Sequence, residues 1–472
     1  MEGLRSPSFA HEKKLLSISR QSWGSASLWI VVFLLLNIFL PQNGGDDRLQ
    51  VMLSMAEDFT FELPSLSTND WAQNAAGKYY STKAPGPMLI GFPLYAAVDG
   101  LLTWSGETKE ERMQIREQHA SLYRWIMSLF LQAFPFAVIT FLCLRFLRST
   151  GVSEVGMHIA ALSILFGNTA ALYMNMYFGH GMTAMFLLAT MLTLLKRKYL
   201  LSGVLYGSAS LCDYGAILLA PLFLLALLTQ ERHLRTRTFL KAAGGVLPLV
   251  MLLLWYHSVL FGDPFTITLQ HQNPIFLFMK PTPPYLIPGI LSLFPSMNIL
   301  WEILVGPSRG ILMTQPWVLT IYISAVIILC RERFLKRKKD IQPLHTLLTV
   351  LLPGLFLLCW MNASYSVWNG GVLLGPRFLS PIFPLFGLAA GMLYGTLSTP
   401  IKITLWITLV PSILLSMLVY ATGIFVGYDA LWPHFFQVLS SHPKETLPRL
   451  FIACALFLSS LTVSIFYPKI SK

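Results

Sequence analysis

The stretch Ala26-Ser27-Leu28-Trp29-Ile30-Val31-Val32-Phe33-Leu34-Leu35-Leu36-Asn37-Ile38-Phe39-Leu40 carries no charge. With its flanks it reaches the roughly 20 residues that an α-helix needs to cross about 30 Å of hydrocarbon. Lipid offers the backbone no hydrogen-bond partner, so a spanning run of this kind is helical. The pattern returns in residues 401–426 and several times between. Of 472 residues, 54% are hydrophobic and only 12% charged, against about 25% charged in a soluble domain. An ordinary soluble enzyme is excluded, and the fold class expected is an all-α polytopic integral membrane protein. About 25 polar and basic residues precede the first run and no small-residue cleavage site follows it, so it reads as an uncleaved signal anchor.

The net charge of +12 sits in short basic clusters between apolar runs rather than on one face of a soluble module, which argues for membrane topology and against nucleic acid. The clusters are Arg5 to Arg20, Arg145 with Arg148, Lys196-Arg197-Lys198, Arg232 to Lys241, Arg331 to Lys339, Lys402, and Lys469 with Lys472. Placing all of them in the cytoplasm gives 22 basic and 6 acidic residues inside, against 12 and 16 elsewhere. Parity then requires an even number of crossings between clusters. Residues 85–102 must lie in the outer interface as a juxtamembrane or re-entrant helix, as Pro85, Pro87 and Pro93 also suggest. Residues 201–228 must form a hairpin turning at Cys212-Asp213-Tyr214-Gly215. About 12 crossings are expected, near 22–41, 121–144, 155–172, 181–195, 200–212, 215–229, 240–261, 311–330, 344–362, 379–397, 402–424 and 447–467, with both termini cytoplasmic. The long loops 42–120, 262–310, 363–378 and 425–446 then share the outer face, where function is to be sought.

Five scattered cysteines, Cys143, Cys212, Cys330, Cys359 and Cys454, show no ligand spacing and read as membrane-packed thiols. No GxSxG, P-loop, HExxH or dinucleotide fingerprint stands in a plausible context, and Ser308 has no identifiable base. The first outer loop opens with Gly44-Gly45-Asp46-Asp47-Arg48, and Leu49, Met52, Ala56 and Phe59 follow at helical spacing, as in an amphipathic helix lying on the membrane. Asp46 or Asp47 suits an N-cap. The second carboxylate and Arg48 exceed what capping needs, which leaves a general base or a cation ligand at the lipid boundary as the sharper reading.

Gly77-Lys78-Tyr79-Tyr80-Ser81-Thr82-Lys83-Ala84-Pro85-Gly86-Pro87 follows just before the interfacial segment. An acidic pair after the first helix and then this G-x-Y-Y-x-x-K-x-P-G stretch resemble the C-type glycosyltransferases (GT-C) that use polyprenyl-phosphate sugars, among them protein O-mannosyltransferases and the lipid A aminoarabinose transferase. Phe178-Gly179-His180-Gly181, Gly306-Pro307-Ser308-Arg309-Gly310, Tyr365, Trp368-Asn369-Gly370-Gly371 and Gly375-Pro376-Arg377-Phe378 continue the likeness over residues 30–395. It implies a GT-C-like transmembrane catalytic module over residues 1–400 including the 42–120 loop, followed by C-terminal transmembrane helices over 401–472.

The resemblance implies inverting transfer of a sugar from a polyprenyl-phosphate donor to a lipid, glycan or protein acceptor, with the active site on the periplasmic or exoplasmic side of a bacterial inner membrane. Asp46 or Asp47 would take the acceptor's proton. Lys83, Arg309 and Arg377 would bind the donor phosphate, where cations stabilise charge on the leaving group. The plainer alternatives are snorkelling for Lys83, and helix capping or pairing with acidic loops for the two arginines. Tyr79, Tyr80, Tyr365 and Trp368 could stack on sugar or isoprenoid, or simply belong to the interfacial aromatic belt. His180 stands where many members carry a carboxylate, which puts metal binding in doubt. His180 and His271 are polar loop residues or substrate contacts, and Asp213 orients a cation or satisfies its turn. No cofactor is required, and a divalent cation is left open as a helper. Two other classes compete: a transporter or flippase of a lipid-linked saccharide, which should show two comparable halves, and a scaffold, in which Asp46, Asp47, Lys83 and Arg377 would lie far apart.

Overall fold

The computed structural model describes residues 25–41, 46–66, 69–228, 235–276, 283–288, 290–335, 342–371, 373–427 and 430–470. The basic stretch at 5–20, residues 232–234, 336–339 and Lys472 lie outside these, as do the side chains of Asp46 and Lys469. Where described, each of the apolar segments expected to cross is largely helical. Among the described residues seven helices have the length and composition to span: Gly86–Thr103, Ala120–Ser149, Thr236–Phe261, Pro343–Ser364, Arg377–Thr396, Thr399–Thr422 and Pro443–Ser464. Six shorter apolar helices accompany them: Ser25–Phe39, Glu154–Leu165, Gly179–Leu195, Tyr199–Cys212, Tyr214–Leu228 and Trp317–Arg331.

The helices share one core, in which Trp29, Phe33, Phe136, Phe166, Trp317, Phe383 and Phe386 are fully buried. Tyr199–Cys212 is sandwiched between Gly179–Leu195 and Arg235–Phe261, and Phe383–Leu393 packs on Glu154–Leu165. Within Ala120–Ser149 the turn Leu129–Ala133 widens to a π-bulge just before Pro135, whose ring supplies no N–H to the ladder. The bulge turns Gln132 inward, where its Nε2 donates to the Phe178 carbonyl at 3.0 Å.

Residues 46–118 form a layer of their own. The helix Asp46–Glu57 lays Val51 and Met52 against Met88, Tyr95 and Tyr123. It stops at Glu57, so Phe59, expected to extend the apolar series, instead stands 92% exposed at a positive φ of 53°. Gly86–Thr103 follows, and then Lys109–Gln118, whose start is set by a capping box: Thr108 Oγ1 accepts from the Glu111 N–H at 3.1 Å while Glu111 Oε2 accepts from the Thr108 N–H at 3.2 Å. Ions lock these helices together. Arg116 forks onto both oxygens of Asp99 at 2.7 Å and reaches Glu57 Oε1 at 2.5 Å, Arg112 grips Glu57 at 3.2 Å, and Tyr123 donates to Asp99 at 2.7 Å. Although Gly86–Thr103 is long and apolar enough to span, its buried Asp99 joins it to the polar Lys109–Gln118 helix.

Candidate functional site

One polar cluster gathers residues from six parts of the chain. Two glycines make the approach possible. A Cβ at Gly86 would lie 2.6 Å from the Leu211 carbonyl, and one at Gly179 would lie 2.5 Å from the Cys212 carbonyl oxygen. Only hydrogen fits there, so the Pro85–Pro87 turn and the start of the Gly179–Leu195 helix both rest on the end of Tyr199–Cys212. Two tyrosines four residues apart tie in the other loops: the Tyr177 hydroxyl donates to the Pro87 carbonyl, and that of Tyr173 to the Leu374 carbonyl at 2.6 Å.

The hairpin Trp71–Gln73 with Tyr79–Ser81, in the register Trp71 to Ser81, presents the next groups. Ser81 Oγ donates to Asp47 Oδ2 at 3.1 Å, and Asp47 Oδ1 meets Arg48 at 3.3 Å. Asp47 and Arg48 are both nearly buried, and the Arg48 guanidinium lies 4.9 Å from the centre of the Phe178 ring. Beyond the ladder, Thr82 N donates to the Asp70 carbonyl at 3.1 Å, which brings Lys83 Nζ within 2.7 Å of Asp70 Oδ1. Burial pushes the Asp70 carboxyl up, but Lys83, with Arg377 and Arg48 further off, holds it below the ordinary carboxylate range.

At the hairpin turn expected between 212 and 215, Asp213 Oδ1 accepts the Gly215 N–H at 2.9 Å while Oδ2 meets His180 Nδ1 at 2.5 Å. Burial opposes this charge as well. His180, the Gly215 N–H and Arg377 nonetheless hold Asp213 below its usual range. The His180 ring stands edge-on to Phe378 at 5.5 Å, Tyr365 does the same at 5.2 Å, and the Arg377 guanidinium lies 5.2 Å from the same ring centre. Burial pushes the Tyr365 hydroxyl up to about 12, against the field of Arg377. Arg377 Nε and Arg48 Nε are buried without a hydrogen-bond partner among the described residues. An unpaired buried donor costs about 1–3 kcal/mol.

Asp47, Lys83, His180, Tyr365 and Arg377 are thus brought together. Five other candidates are held elsewhere or otherwise. Arg309 is buried with its guanidinium donating to the carbonyls of Asn369, Gly371, Leu373 and Gly427, so it clamps the loop before Arg377 instead of offering a free fork to phosphate. Tyr80 points to the opposite side of its strand, into a cluster with Tyr256, Leu260 and Phe261. His271 is exposed and stacked on Phe261 at 4.9 Å, and Trp368 packs on the main core. Tyr79 meets Trp71 edge-on at 5.0 Å within the 46–118 layer. The Asp46 side chain lies outside the described residues.

Asp70 and Ser81 are given no role by the sequence reading, and Arg48 only that of a companion to the acidic pair. The two β-rich triplets around Asn74–Lys78 carry a hairpin signal, and reading it would have set Asp70 beside Lys83. Among the described residues, which leave out the Asp46 side chain, no three His, Cys, Asp or Glu side chains are grouped to hold a metal ion.

The helices that carry the cluster share a polarity. The ends away from it adjoin basic residues: 196–198 join Gly179–Leu195 to Tyr199–Cys212, whose other ends carry His180 and Asp213, and Lys402 lies just beyond the end of Arg377–Thr396 away from Arg377.

No protein-family model matches the chain, and no curated protein does. Among solved structures it is similar to the archaeal oligosaccharyltransferase AglB from Archaeoglobus fulgidus, solved in complex with an inhibitory peptide and a dolichol-phosphate, at 12% identity and a TM-score of 0.47. The match covers 94% of this chain and 56% of that one, so the chain spans little more than half of that protein's length.

Proposed function

We propose that this chain is a membrane glycosyltransferase of the GT-C type, transferring a hexose or pentose, with inversion, from a polyprenyl-phosphate donor to a hydroxyl of a lipid, glycan or protein on the outer face of a bacterial inner membrane. The observation that carries this reading is the cluster itself: Arg48, Lys83 and Arg377 converge with Asp47, Asp70 and Asp213 at helix ends opposite the basic connections. Positive-inside bias makes those basic ends cytoplasmic and the cluster exoplasmic.

A polyprenyl phosphate is an anion tethered at the membrane surface. Lys83 would meet it as a compact charge, exchanging Asp70 for a phosphate oxygen, and Arg377 would add the field of its guanidinium, which already acts on Asp70. Charge developing on the leaving phosphate would be stabilised by the same groups. Tyr365 and Phe378 supply the aromatic wall that a sugar face needs. Asp47, with Asp46 before it, is the acidic group that the family resemblance assigns to proton removal; held between Arg48 and Ser81, it also fixes both. Arg309 would act by shaping the loop that carries Arg377.

The test is to incubate purified protein with radiolabelled polyprenyl-phosphate hexoses and pentoses and a membrane extract, comparing wild type with Asp47→Asn and Lys83→Ala. Label moving to an acceptor with wild type, and much less with Lys83→Ala, supports the reading. Undiminished transfer in both variants counts against the site, and no transfer from any donor favours the transporter alternative.

A further inference from the structure

We propose that His180, held by Asp213, is the group that takes the acceptor's proton. This rests on the transferase reading and moves the proton acceptor away from the Asp46–Asp47 pair.

A carboxylate can only accept, so the 2.5 Å contact between His180 Nδ1 and Asp213 Oδ2 puts the ring's proton on Nδ1 and leaves the Nε2 lone pair free in the neutral imidazole. Nε2 makes no hydrogen bond to a described residue, and it is not among the sealed, unpartnered buried atoms. The side chain keeps 12% of its surface. Asp213 is anchored in turn by the Gly215 N–H at 2.9 Å, so the imidazole is held in one tautomer and one orientation by a fixed partner. That is the arrangement by which a carboxylate makes histidine an effective base.

Asp47 is placed for a different task. Its side chain is 7% exposed, and its two oxygens are already engaged by Arg48 and by the Ser81 hydroxyl. A proton delivered there would weaken the pairing that holds Arg48 under the cluster.

His180 and Arg377 both border the Phe378 ring, at 5.5 and 5.2 Å from its centre, so the proton acceptor and the phosphate-binding cation lie within about 11 Å of each other. As the acceptor oxygen bonds to sugar C1, the C1–O bond to phosphate breaks with its electron pair remaining on the polyprenyl phosphate. The acceptor proton passes to Nε2, the imidazolium is stabilised by Asp213, and the proton then leaves to water. The charged groups facing His180 are Asp213 from the 212–215 turn, Arg377 from the Arg377–Thr396 helix and Arg48 from the Asp46–Glu57 helix. Both arginines oppose the positive charge that the proton brings to the ring and favour its release.

The experiment uses the full chain, purified and reconstituted, with the labelled polyprenyl-phosphate sugar that wild type turns over. We expect His180→Gln to lower kcat by about 10² to 10⁴, to leave the Kd for polyprenyl phosphate within about twofold, and to abolish the acidic limb of the pH–rate profile. Asp213→Asn should lower kcat and move that limb, while Asp47→Asn should retain it. An unchanged limb in His180→Gln overturns the proposal, as does a kcat within about threefold of wild type, or loss of the limb in Asp47→Asn instead. A parallel loss of donor affinity in His180→Gln would make His180 a donor contact and would likewise overturn it. Should His180→Gln fail to elute as folded protein, the limb in Asp213→Asn and Asp47→Asn decides between the same two bases. No transfer by wild type from any donor refutes the transferase reading itself, and this inference with it.

Discussion

Gly179→Ala tests the close approach on which the cluster depends. The new Cβ would sit 2.5 Å from the Cys212 carbonyl oxygen, about 0.9 Å inside the 3.4 Å at which ordinary contact begins. The obstacle is backbone, capping a helix that is itself packed between two others, so no side-chain rotation relieves it. The helix start carrying His180 must move by most of that distance, which if directed away from Asp213 stretches the 2.5 Å contact to roughly 3.3 Å, at the weak end of hydrogen-bonding range. Overpacking of this kind costs about 1–3 kcal/mol, and a misplacement near 1 Å at reacting groups costs about 10²-fold in rate. The assay is thermal unfolding by tryptophan fluorescence together with labelled sugar transfer. Gly244→Ala serves as control, because a Cβ there meets nothing within 4 Å. We expect a lower unfolding temperature and about 10²-fold slower transfer for Gly179→Ala, and neither for the control. Wild-type stability and rate in Gly179→Ala would refute the packing described for this junction.

Arg116→Leu leaves Asp99 and Glu57 buried without their shared cation, and should destabilise the protein by about 3–5 kcal/mol, read from denaturant unfolding. Glu57 is held from 4.5 down to about 2, chiefly by its hydrogen bond to Arg112, against burial and with help from Arg116. Its contribution is therefore complete above pH 4.5 and lost as pH falls toward 2, so unfolding temperature should drop across that window less steeply in Glu57→Gln than in wild type. Arg377→Ala should weaken binding of polyprenyl phosphate at least tenfold, and Arg377→Lys should restore only part of it, since Lys cannot reproduce the planar fork; equal affinity in all three proteins, measured by ligand-induced thermal shift, would remove Arg377 from the phosphate site. Arg309→Lys should lose most of four carbonyl contacts and lower the unfolding temperature, with donor affinity falling less than in Arg377→Ala.

Composition and order alone determined a good deal. Apolar run length decided that the chain is built from membrane-type helices, and the spacing of basic clusters decided which helix ends go together, because hydropathy and charge act residue by residue along one dimension. For that reason the turn at Cys212-Asp213, the amphipathic start at Asp46 and the shared end of Lys83, His180 and Arg377 were legible beforehand. Pairing was not. Whether Arg309 meets phosphate or four carbonyls, whether Tyr80 faces the cluster or Tyr256, and whether Asp213 serves its turn alone or also His180 depend on hairpin register, helix rotation and the contact of glycines with distant backbone. These partners lie from 33 to 118 residues apart in the two ion and carbonyl contacts at issue. No local pattern encodes such distances; packing of the whole chain sets them.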